Sequence, residues 1–309
     1  MTASDVSRTR AWLMAARPQT MPAAAAPVLV GAGLAAAEGV FAAGPAAAAL
    51  LGAALLQIGT NFANDYFDAV NGADTEDREG FTRVTQSGLI PPAQVWRATL
   101  VTFALAILVG CYLVYVGGVP ILVIGLASVA SGLAYTGGPY PFGYYGLGDL
   151  FVFVFFGLVA VAGTFYVQAA ALAPGSFYSW APAGTLPAVA VAAGVPIGAL
   201  ATCILVVNNI RDVRTDAETG KRTLAVRIGV RWSRMQYVTL LLLAYAVPVA
   251  LWATGRDATV LLPLLTLPYA ALVSRTVVTE RGEVLNDALE GTGRLLAGFS
   301  VLFAAGFAL

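Results

Sequence analysis

Residues 186–207 read LPAVAVAAGVPIGALATCILVV and contain no charged side chain. A transmembrane α-helix needs about 20 mostly apolar residues to cross the hydrocarbon core of a bilayer. This stretch is long enough to cross, and it continues directly into the polar sequence NNIRD at 208–212. The chain is therefore predicted to contain a membrane-spanning helix with a polar cluster at one end.

The composition extends this prediction to the whole chain. Of its 309 residues, 59% are hydrophobic and only 11% are charged, and the mean hydropathy is +0.78. A soluble domain carries roughly a quarter charged residues, so most of this chain must be solvated by lipid. No Pro/Ser-rich linker, charge block or low-complexity tract divides the sequence, and we expect residues 1–309 to form a single membrane domain.

Further apolar segments of similar length predict the number of crossings. Several are rich in alanine and glycine, which favour close helix packing within a membrane bundle. We predict an all-α, polytopic membrane helical bundle with nine transmembrane helices. These lie at approximately 20–38, 44–63, 97–116, 119–136, 149–172, 186–207, 234–254, 258–277 and 292–309.

The distribution of basic residues predicts the orientation of this bundle. With nine crossings and a cytoplasmic N-terminus, the cytoplasmic segments, counted with the short helix ends that flank them, hold all of the 17 lysine and arginine residues except Arg256. Cytoplasmic loops of membrane proteins carry an excess of these residues. We therefore predict a multi-pass protein of the cell (plasma) membrane with its N-terminus in the cytoplasm and its C-terminus outside. The first apolar segment is long enough to span, so no cleavable signal peptide is expected.

The histidine and cysteine content excludes several kinds of chemistry. There is no histidine, which excludes imidazole acid–base catalysis and histidine-ligated metal sites. Cys111 and Cys203 each lie within an apolar run and lack the spacing of a metal or redox motif, so both are predicted to be small buried residues.

The first polar cluster, residues 61–68 (NFANDYFD), continues directly from the second apolar segment. On a continuing helix Asn61 and Asp65 are four residues apart, as are Asn64 and Asp68, so all four are predicted to project along one broad face. Further acidic residues follow at Asp74, Glu76, Asp77 and Glu79.

The second polar cluster, residues 208–216 (NNIRDVRTD), follows the sixth apolar segment. Asn208, Asp212 and Asp216 recur at intervals of four and are predicted to form a single stripe on a helix. The same spacing occurs in the first cluster, which hints at a duplicated helical unit, although so short a similarity is weak support.

Both clusters carry groups that suit a metal–phosphate complex. Carboxylate and amide oxygens are hard ligands for Mg²⁺, which usually bridges a few carboxylates to a phosphate. Two such sets facing each other would hold metal ions across a diphosphate and stabilise it as negative charge builds on it. Basic side chains that could complete this anion site are interleaved with the clusters: Arg83, Arg211, Arg214, Lys221 and Arg222.

A solvated loop is the alternative interpretation of such clusters. It suits Glu76, Asp77 and Glu79, because loops of this composition are commonly just solvated. Residues 61–68 and 208–216 instead abut or enter the apolar spans, where unpaired carboxylates are costly and usually functional. We therefore predict a functional site at these two places.

A third cytoplasmic segment, residues 135–149 (YTGGPYPFGYYGLGD), is dense in glycine, proline and tyrosine and has no basic residue. Tyr135 and Tyr140 could stack on an aromatic substrate or shelter a carbocation through its attraction to the ring face. They could equally be aromatic anchors at the membrane interface. The sequence leaves both interpretations open.

Together these motifs resemble those of the UbiA-type intramembrane prenyltransferases. The resemblance is carried by Asn64-Asp65-x-x-Asp68, extended to Gly72 and Asp74, and by Asp212-x-x-x-Asp216. Members of that family have nine helices, bind an isoprenyl diphosphate through Mg²⁺ and transfer the prenyl chain to an acceptor, commonly aromatic, in the membrane.

Four stretches resemble the branch of that family that prenylates 1,4-dihydroxy-2-naphthoate: residues 17–20, 64–74, 146–157 and 209–229. This resemblance implies transfer of a polyprenyl chain to the naphthoate with decarboxylation, giving demethylmenaquinone and diphosphate. The implied cofactor is Mg²⁺. The implied partners are a polyprenyl diphosphate, the aromatic acceptor and the lipid bilayer, with no nucleic acid, and the active site would face the cytoplasm.

The resemblance also implies roles for individual residues. The catalytic set is Asp65, Asp68, Asp212 and Asp216, and the metal-binding set consists of these four with Asn64 and Asp74. The substrate-binding candidates are Asn64, Asn208, Lys221, Arg83, Arg211, Arg222, Tyr135, Tyr140, Arg17 and Gln19. Several relatives have a basic residue four positions after a tyrosine in the third cytoplasmic loop, but here Pro139 stands at that spacing after Tyr135. Lys221, the only lysine, therefore gains weight as a diphosphate ligand.

Two alternatives remain open from the sequence. Within the family, the acceptor could instead be 4-hydroxybenzoate, homogentisate, a tetrapyrrole or a glycerol-phosphate lipid. From another class, a cation-coupled transporter could also use intramembrane carboxylates. A transporter gives no reason for lysine and arginine to be mixed with both acidic clusters, because they would repel the cation.

Overall fold

The computed structural model describes residues 6–72, 83–175 and 177–309. Within these ranges the regular structure is helical throughout, as predicted. The α-helices are α1 (Arg8–Ala16), α2 (Met21–Ala37), α3 (Ala43–Val70), α4 (Pro92–Ala134), α5 (Gly148–Val152), α6 (Ala160–Leu172), α7 (Ala188–Arg211), α8 (Val213–Glu218), α9 (Leu224–Ala253), α10 (Leu267–Thr279) and α11 (Leu285–Ala308). A π-helical segment, Phe153–Val159, joins α5 to α6, and short 3₁₀ helices lie at Pro18–Thr20, Ala258–Thr266 and Gly282–Val284.

Eight helical segments in the described ranges are long and apolar enough to cross a membrane, judged by length and composition. They are Arg8–Ala37, Ala43–Val70, Pro92–Ala134, Gly148–Leu172, Ala188–Arg211, Leu224–Ala253, Ala258–Thr279 and Gly282–Ala308. Several extend further into polar sequence than predicted. The segment Leu224–Ala253, for example, begins well before the predicted range 234–254, because a short helical stretch precedes a break at Gly229, which has φ 81° and ψ 161°.

The longest helix, α4, spans 43 residues and contains a sharp break at Gly118. Gly118 has φ 69° and ψ −153°, and a Cβ there would lie 2.1 Å from the Tyr178 carbonyl oxygen, so only glycine fits. The amide of Val119 donates a hydrogen bond to the same oxygen at 2.8 Å. The break falls between the predicted crossings 97–116 and 119–136.

Helix α7 forms the centre of the bundle. Its buried face consists of small and apolar side chains: Ala190, Ala193, Ile197, Leu200, Cys203 and Val207. The π-helical segment packs closely on this helix, because a Cβ on Gly157 would lie 2.5 Å from the Gly198 Cα. Such close approach of small residues is typical of helices packed within a membrane.

The two cysteines differ in burial. Cys203 is buried on α7, as predicted. The prediction that Cys111 is buried is wrong, since it is exposed on α4 among apolar side chains such as Leu108 and Tyr112 that also face outward. An apolar run in a membrane protein can face lipid as readily as protein.

Helices α3 and α7 both end in polar clusters. Helix α3 continues to Val70, so residues 61–68 lie on one helix, as predicted. Helix α7 ends at Arg211, and α8 begins at Val213. Asp212, with φ −89° and ψ 7°, separates the two helices, but the amides of Asp212 and Asp216 still donate to the carbonyl oxygens four residues earlier, at 3.0 and 2.8 Å. The predicted four-residue spacing of Asn208, Asp212 and Asp216 is therefore kept across the junction.

Candidate functional site

Asp68, near the end of α3, is the point at which three distant parts of the chain meet. Its Oδ2 accepts a hydrogen bond from Arg83 Nη2 at 2.7 Å. Its Oδ1 accepts one from the Tyr144 hydroxyl at 2.5 Å and one from Lys221 Nζ at 3.3 Å. The carboxylate is only 2% exposed. The first cluster, residues 135–149 and the segment that follows the second cluster therefore converge at this carboxylate.

Lys221 is held in place by several contacts besides Asp68. Its Nζ lies 4.8 Å from the centroid of the Tyr144 ring, in a cation–π arrangement. Its backbone amide donates to the Asp216 carbonyl oxygen at 2.8 Å. The neighbouring Arg222 amide donates to the Tyr144 carbonyl oxygen at 2.7 Å. Lysine and tyrosine are thus fixed relative to each other and to α8.

Tyr135 links the carboxylates of the two clusters electrostatically. Loss of water around the phenol raises its pKa, and the negative charges of Asp149, Asp68 and Asp216 raise the pKa further. Both effects disfavour the phenolate. Tyr135 is therefore a neutral hydroxyl group at physiological pH, within electrostatic reach of one carboxylate from each cluster.

Asp65 faces a different part of the protein from Asp68. Its oxygens accept hydrogen bonds from the backbone amides of Val84 and Thr85, at 3.3 and 2.9 Å, and lie 3.9 Å from Arg17 Nη2. The side chain is 1% exposed. Asp65 thus holds the chain that leads into α4, and its described contacts are with protein.

Asn61 and Asn64, the two asparagines of the first cluster, also contact different parts of the protein. Asn61 donates to the Ala16 carbonyl oxygen and the Thr20 hydroxyl, both at 2.9 Å. Asn64 accepts a hydrogen bond from the Thr136 hydroxyl at 2.8 Å. All four polar residues lie on one continuous helix and share one broad face, as predicted. Within that face, Asn61 and Asp65 contact the N-terminal segment, whereas Asn64 and Asp68 contact residues 135–149.

Arg211, Asp212 and Asn208 form a compact network at the end of α7. Arg211 is 3% exposed, and its Nε and Nη2 each donate to a separate oxygen of Asp212 at 2.7 Å. Its Nη2 also donates to Asn208 Oδ1 at 2.8 Å, and its Nη1 donates to Asn286 Oδ1 at 2.7 Å. The described contacts of this guanidinium, which the sequence predicted to bind substrate, hold Asp212 in position.

Some predicted ligands do not join the cluster in the described structure. The side chains of Gln19, Tyr140 and Arg222 are exposed. Tyr140 is 76% exposed and pairs with the Tyr145 ring at a centroid distance of 6.1 Å, which favours its interpretation as an interfacial anchor. Asp74 lies outside the described residues.

Two residues of the network were not singled out by the sequence. Tyr144 lies in the tyrosine-rich segment, but nothing in its spacing distinguished it from Tyr140 or Tyr145. Asn286, on α11, had no sequence signal, because it is far from both clusters in the chain and its role depends on how α11 packs beside α7.

The donor groups of the site suit Mg²⁺ bound together with a phosphate. In the ranges that the structure describes, no group of three acidic, histidine or cysteine side chains could hold a metal ion. Mg²⁺ is usually bound through one or two carboxylates plus oxygens of a substrate phosphate, so a complete protein cage is not required. Buried oxygen donors on both clusters, with lysine and arginine among them, fit this kind of site.

Comparisons with known proteins agree with this chemistry. The chain matches the model of the UbiA prenyltransferase family over residues 24–288. It is 42% identical over 248 residues to the 1,4-dihydroxy-2-naphthoate octaprenyltransferase of Escherichia coli (strain K12), covering 78% of this chain and 76% of that protein. It is 36% identical over 299 residues to the protein of the same name from Mycobacterium leprae (strain TN), covering 96% of each.

The fold is similar to that of a solved structure in the same family. That structure is a UbiA homolog from Archaeoglobus fulgidus bound to DMAPP and Mg²⁺, with a TM-score of 0.61, 17% sequence identity, and coverage of 96% of this chain and 99% of that chain. The family match extends from α2 into α11, and both helix ends that form the site lie within it. The chain therefore belongs to the UbiA prenyltransferase family.

Proposed function

We propose that this protein transfers a polyprenyl chain from its diphosphate to 1,4-dihydroxy-2-naphthoate, with decarboxylation, in a Mg²⁺-dependent reaction that gives the reduced, dihydroxy form of demethylmenaquinone, CO₂ and diphosphate. The similarity to two octaprenyltransferases named for this acceptor supports the choice of substrate. The observation that carries the mechanism is the contact between Lys221 and Asp68, because the backbone amide of Lys221 also donates to the carbonyl oxygen of Asp216 in the second cluster.

The proposal includes the arrangement of the protein in the membrane. The break at Gly118 divides α4 into two crossings, which gives nine transmembrane helices in a single domain. The N-terminus lies in the cytoplasm and the C-terminus outside. The location of nearly all lysine and arginine residues supports this orientation. The polar ends of α3 and α7 then face the cytoplasmic side of the plasma membrane, where water-soluble diphosphate is released.

The residues at the site divide into two roles. Asp68 and Asp216, with Asn64, Asp65, Asp74 and Asp212 as further candidates, would hold Mg²⁺. Bound Mg²⁺ would neutralise the negative charge that develops on the departing diphosphate. Lys221 and Arg83, which lie against Asp68, would contact diphosphate oxygens. Arg211 keeps Asp212 in position through its paired hydrogen bonds.

The reaction begins when the bond between the allylic carbon and the diphosphate oxygen breaks and its electron pair leaves with the diphosphate. The allylic cation is captured by an electron-rich ring carbon of the naphthoate. The carboxylate leaves as CO₂ and returns its bonding electrons to the ring. Tyr144 donates a hydrogen bond to Asp68, and Tyr135 experiences the charge of the same carboxylate. Their aromatic rings would attract the allylic cation, which water would otherwise quench.

A transfer assay tests the proposal. Purified protein in lipid is incubated with Mg²⁺, labelled prenyl diphosphate and, separately, 1,4-dihydroxy-2-naphthoate, 4-hydroxybenzoate, homogentisate, a tetrapyrrole or a glycerol-phosphate lipid. The expected product has the mass of the naphthoate plus the prenyl group minus CO₂, and it forms only with Mg²⁺. Transfer to another acceptor alone would overturn the substrate assignment. Cation flux without diphosphate release would overturn the enzymatic one.

A further inference from the structure

Asp149, the second residue of α5, is a buried carboxylate outside the two aspartate motifs. It is 7% exposed. Its Oδ1 accepts a hydrogen bond from Gln236 Nε2, on α9, at 2.9 Å. Its Oδ2 is buried and has no hydrogen-bond partner among the described residues. Buried polar groups are normally hydrogen-bonded, so a carboxylate oxygen without a partner indicates a position for a ligand.

The position of Asp149 places this oxygen beside the site already described. A Cβ added to the preceding Gly148 would lie 3.0 Å from the Tyr135 hydroxyl. Tyr135 in turn experiences the charges of Asp68 and Asp216 as well as that of Asp149. Asp149 and the proposed diphosphate site therefore both lie close to the side chain of Tyr135.

Gln236 connects Asp149 to an open depression on the side of α9. The depression is shallow, is formed by α9 alone and is lined by Ile228, Trp232, Met235, Gln236 and Thr239. An aromatic compound dissolved in the bilayer would find apolar contacts here and a polar group, Gln236, which itself donates a hydrogen bond to Asp149.

We propose that Asp149 Oδ2, supported by Gln236, binds a ring hydroxyl group of the aromatic acceptor and orients the ring toward the allylic carbon. The inference rests on the proposed function. A hydroxyl group suits this position because it both donates and accepts, and so satisfies Oδ2 whether Asp149 is ionised or protonated. The carboxylate of the acceptor can only accept, and it would be repelled by an ionised Asp149.

The test compares acceptors that differ in one hydroxyl group. The binding of 1,4-dihydroxy-2-naphthoate and of its two mono-O-methyl ethers is measured, by turnover and by inhibition, for wild type, Asp149→Leu, Asp149→Asn and Gln236→Leu. Asp287→Leu, which alters an exposed acid at the start of α11, is the matched control. The KM for the prenyl diphosphate and the melting temperature are measured for each protein.

We expect Asp149→Leu to raise the acceptor KM about 10- to 100-fold, the effect of losing a hydrogen bond to a charged group. Asp149→Asn and Gln236→Leu are expected to have smaller effects. The KM for the prenyl diphosphate should stay within about twofold of wild type, which a general structural defect would not allow. In wild type, methylation of one hydroxyl should weaken binding, and this penalty should disappear in Asp149→Leu.

An undiminished methylation penalty in Asp149→Leu would overturn the inference. If Asp149→Leu does not fold, the same comparison is made with Asp149→Asn, whose penalty should be reduced, and an unchanged penalty there has the same meaning. Failure of the proposed function gives a different result, because wild type would then yield no prenylated naphthoate at all.

Discussion

The two aspartate motifs differ in spacing, three residues in the first and four in the second, and their carboxylates have different partners. Asp65 and Asp212 accept hydrogen bonds that hold local structure in place: from the amides of Val84 and Thr85 for Asp65, and from the guanidinium of Arg211 for Asp212. Asp68 instead accepts from three side chains that meet at the proposed diphosphate site. From this difference we infer that Asp65 and Asp212 shape the site and that Asp68 and Asp216 serve the ligand.

The motifs also differ in how far their partners come from in the sequence. Asp212 is paired with the residue directly before it. Asp68 is contacted by Lys221, 153 residues away in the chain, and by Tyr144. A carboxylate that gathers distant donors depends on the complete fold, so changes at Asp68 should report on the shared site rather than on one helix.

The largest effect is expected for Asp68→Asn. Loss of the negative charge should lower kcat/KM for prenyl transfer about 10²- to 10³-fold, the usual cost of removing one preorganised electrostatic group. Steady-state transfer assays in lipid, with Asp287→Asn as a control at an exposed acid, provide the measurement. Full Mg²⁺-dependent activity in Asp68→Asn would refute the role assigned to this carboxylate.

Lys221→Met should come next. Methionine has a similar length but no charge, so the variant should bind the prenyl diphosphate about 10- to 100-fold more weakly, as expected for a lost charge-assisted hydrogen bond. The KM for the acceptor should change little. Kinetics in which both substrates are varied separate the two constants. If only the KM for the acceptor increased, Lys221 would bind the acceptor and not the diphosphate, which would contradict this assignment.

Arg211→Lys tests the hydrogen bonds that hold Asp212 in the second motif. Lysine keeps the charge but cannot form the paired hydrogen bonds to Asp212, so we expect the free energy of unfolding to fall by about 1–3 kcal/mol. Thermal or denaturant unfolding in detergent measures this change. If Arg211 instead binds substrate directly, the variant will keep its stability and lose only substrate affinity.

Asp65→Asn tests the hydrogen bonds that Asp65 accepts from backbone amides in the first motif. Asparagine retains one acceptor for the two backbone amides, so a loss of about 1 kcal/mol in stability is expected. Its activity should fall less than that of Asp68→Asn. The same unfolding and transfer assays apply to both variants. Equal losses of activity with no change in stability would remove the distinction between the two aspartates.

The smallest effects are expected at the exposed candidates. Tyr140→Ala and Arg222→Ala should change stability by no more than about 0.5 kcal/mol, as is usual for surface positions. Their KM values for both substrates should stay within about twofold of wild type. Kinetics in lipid are the appropriate measurement for both. A large rise in either KM would return that side chain to the substrate-binding set.

The sequence predicted the helical membrane fold correctly, because apolar spans depend on local patterns, and the prediction of the site rests on local patterns as well. Apolar runs of about 20 residues predict spans regardless of what they pack against. Clustered carboxylates at the ends of such runs are unusual enough to mark a site. The sequence could not predict that α7 ends just before Asp212, because residues at four-residue spacing give the same pattern whether or not the helix is interrupted.

The assignment of partners could not be predicted, because it depends on tertiary packing. Nothing near Asn286 in the sequence indicates that it accepts from Arg211, since that contact arises only when α11 lies beside α7. The same is true of Tyr144, one of several tyrosines in its segment, and of Gln236, which reaches Asp149 from α9. The local spacing of residues was therefore enough to identify the carboxylates, whereas their hydrogen-bond donors depend on tertiary packing.

The central claim is that both motifs bind one diphosphate, and a structure of the protein with Mg²⁺ and an unreactive prenyl thiodiphosphate tests it most directly. The account predicts a single diphosphate contacted from one side through Asp68 and from the other through Asp216, with Lys221 on its oxygens. A diphosphate bound by residues of only one motif, with the other motif pointing away from it, would contradict the account.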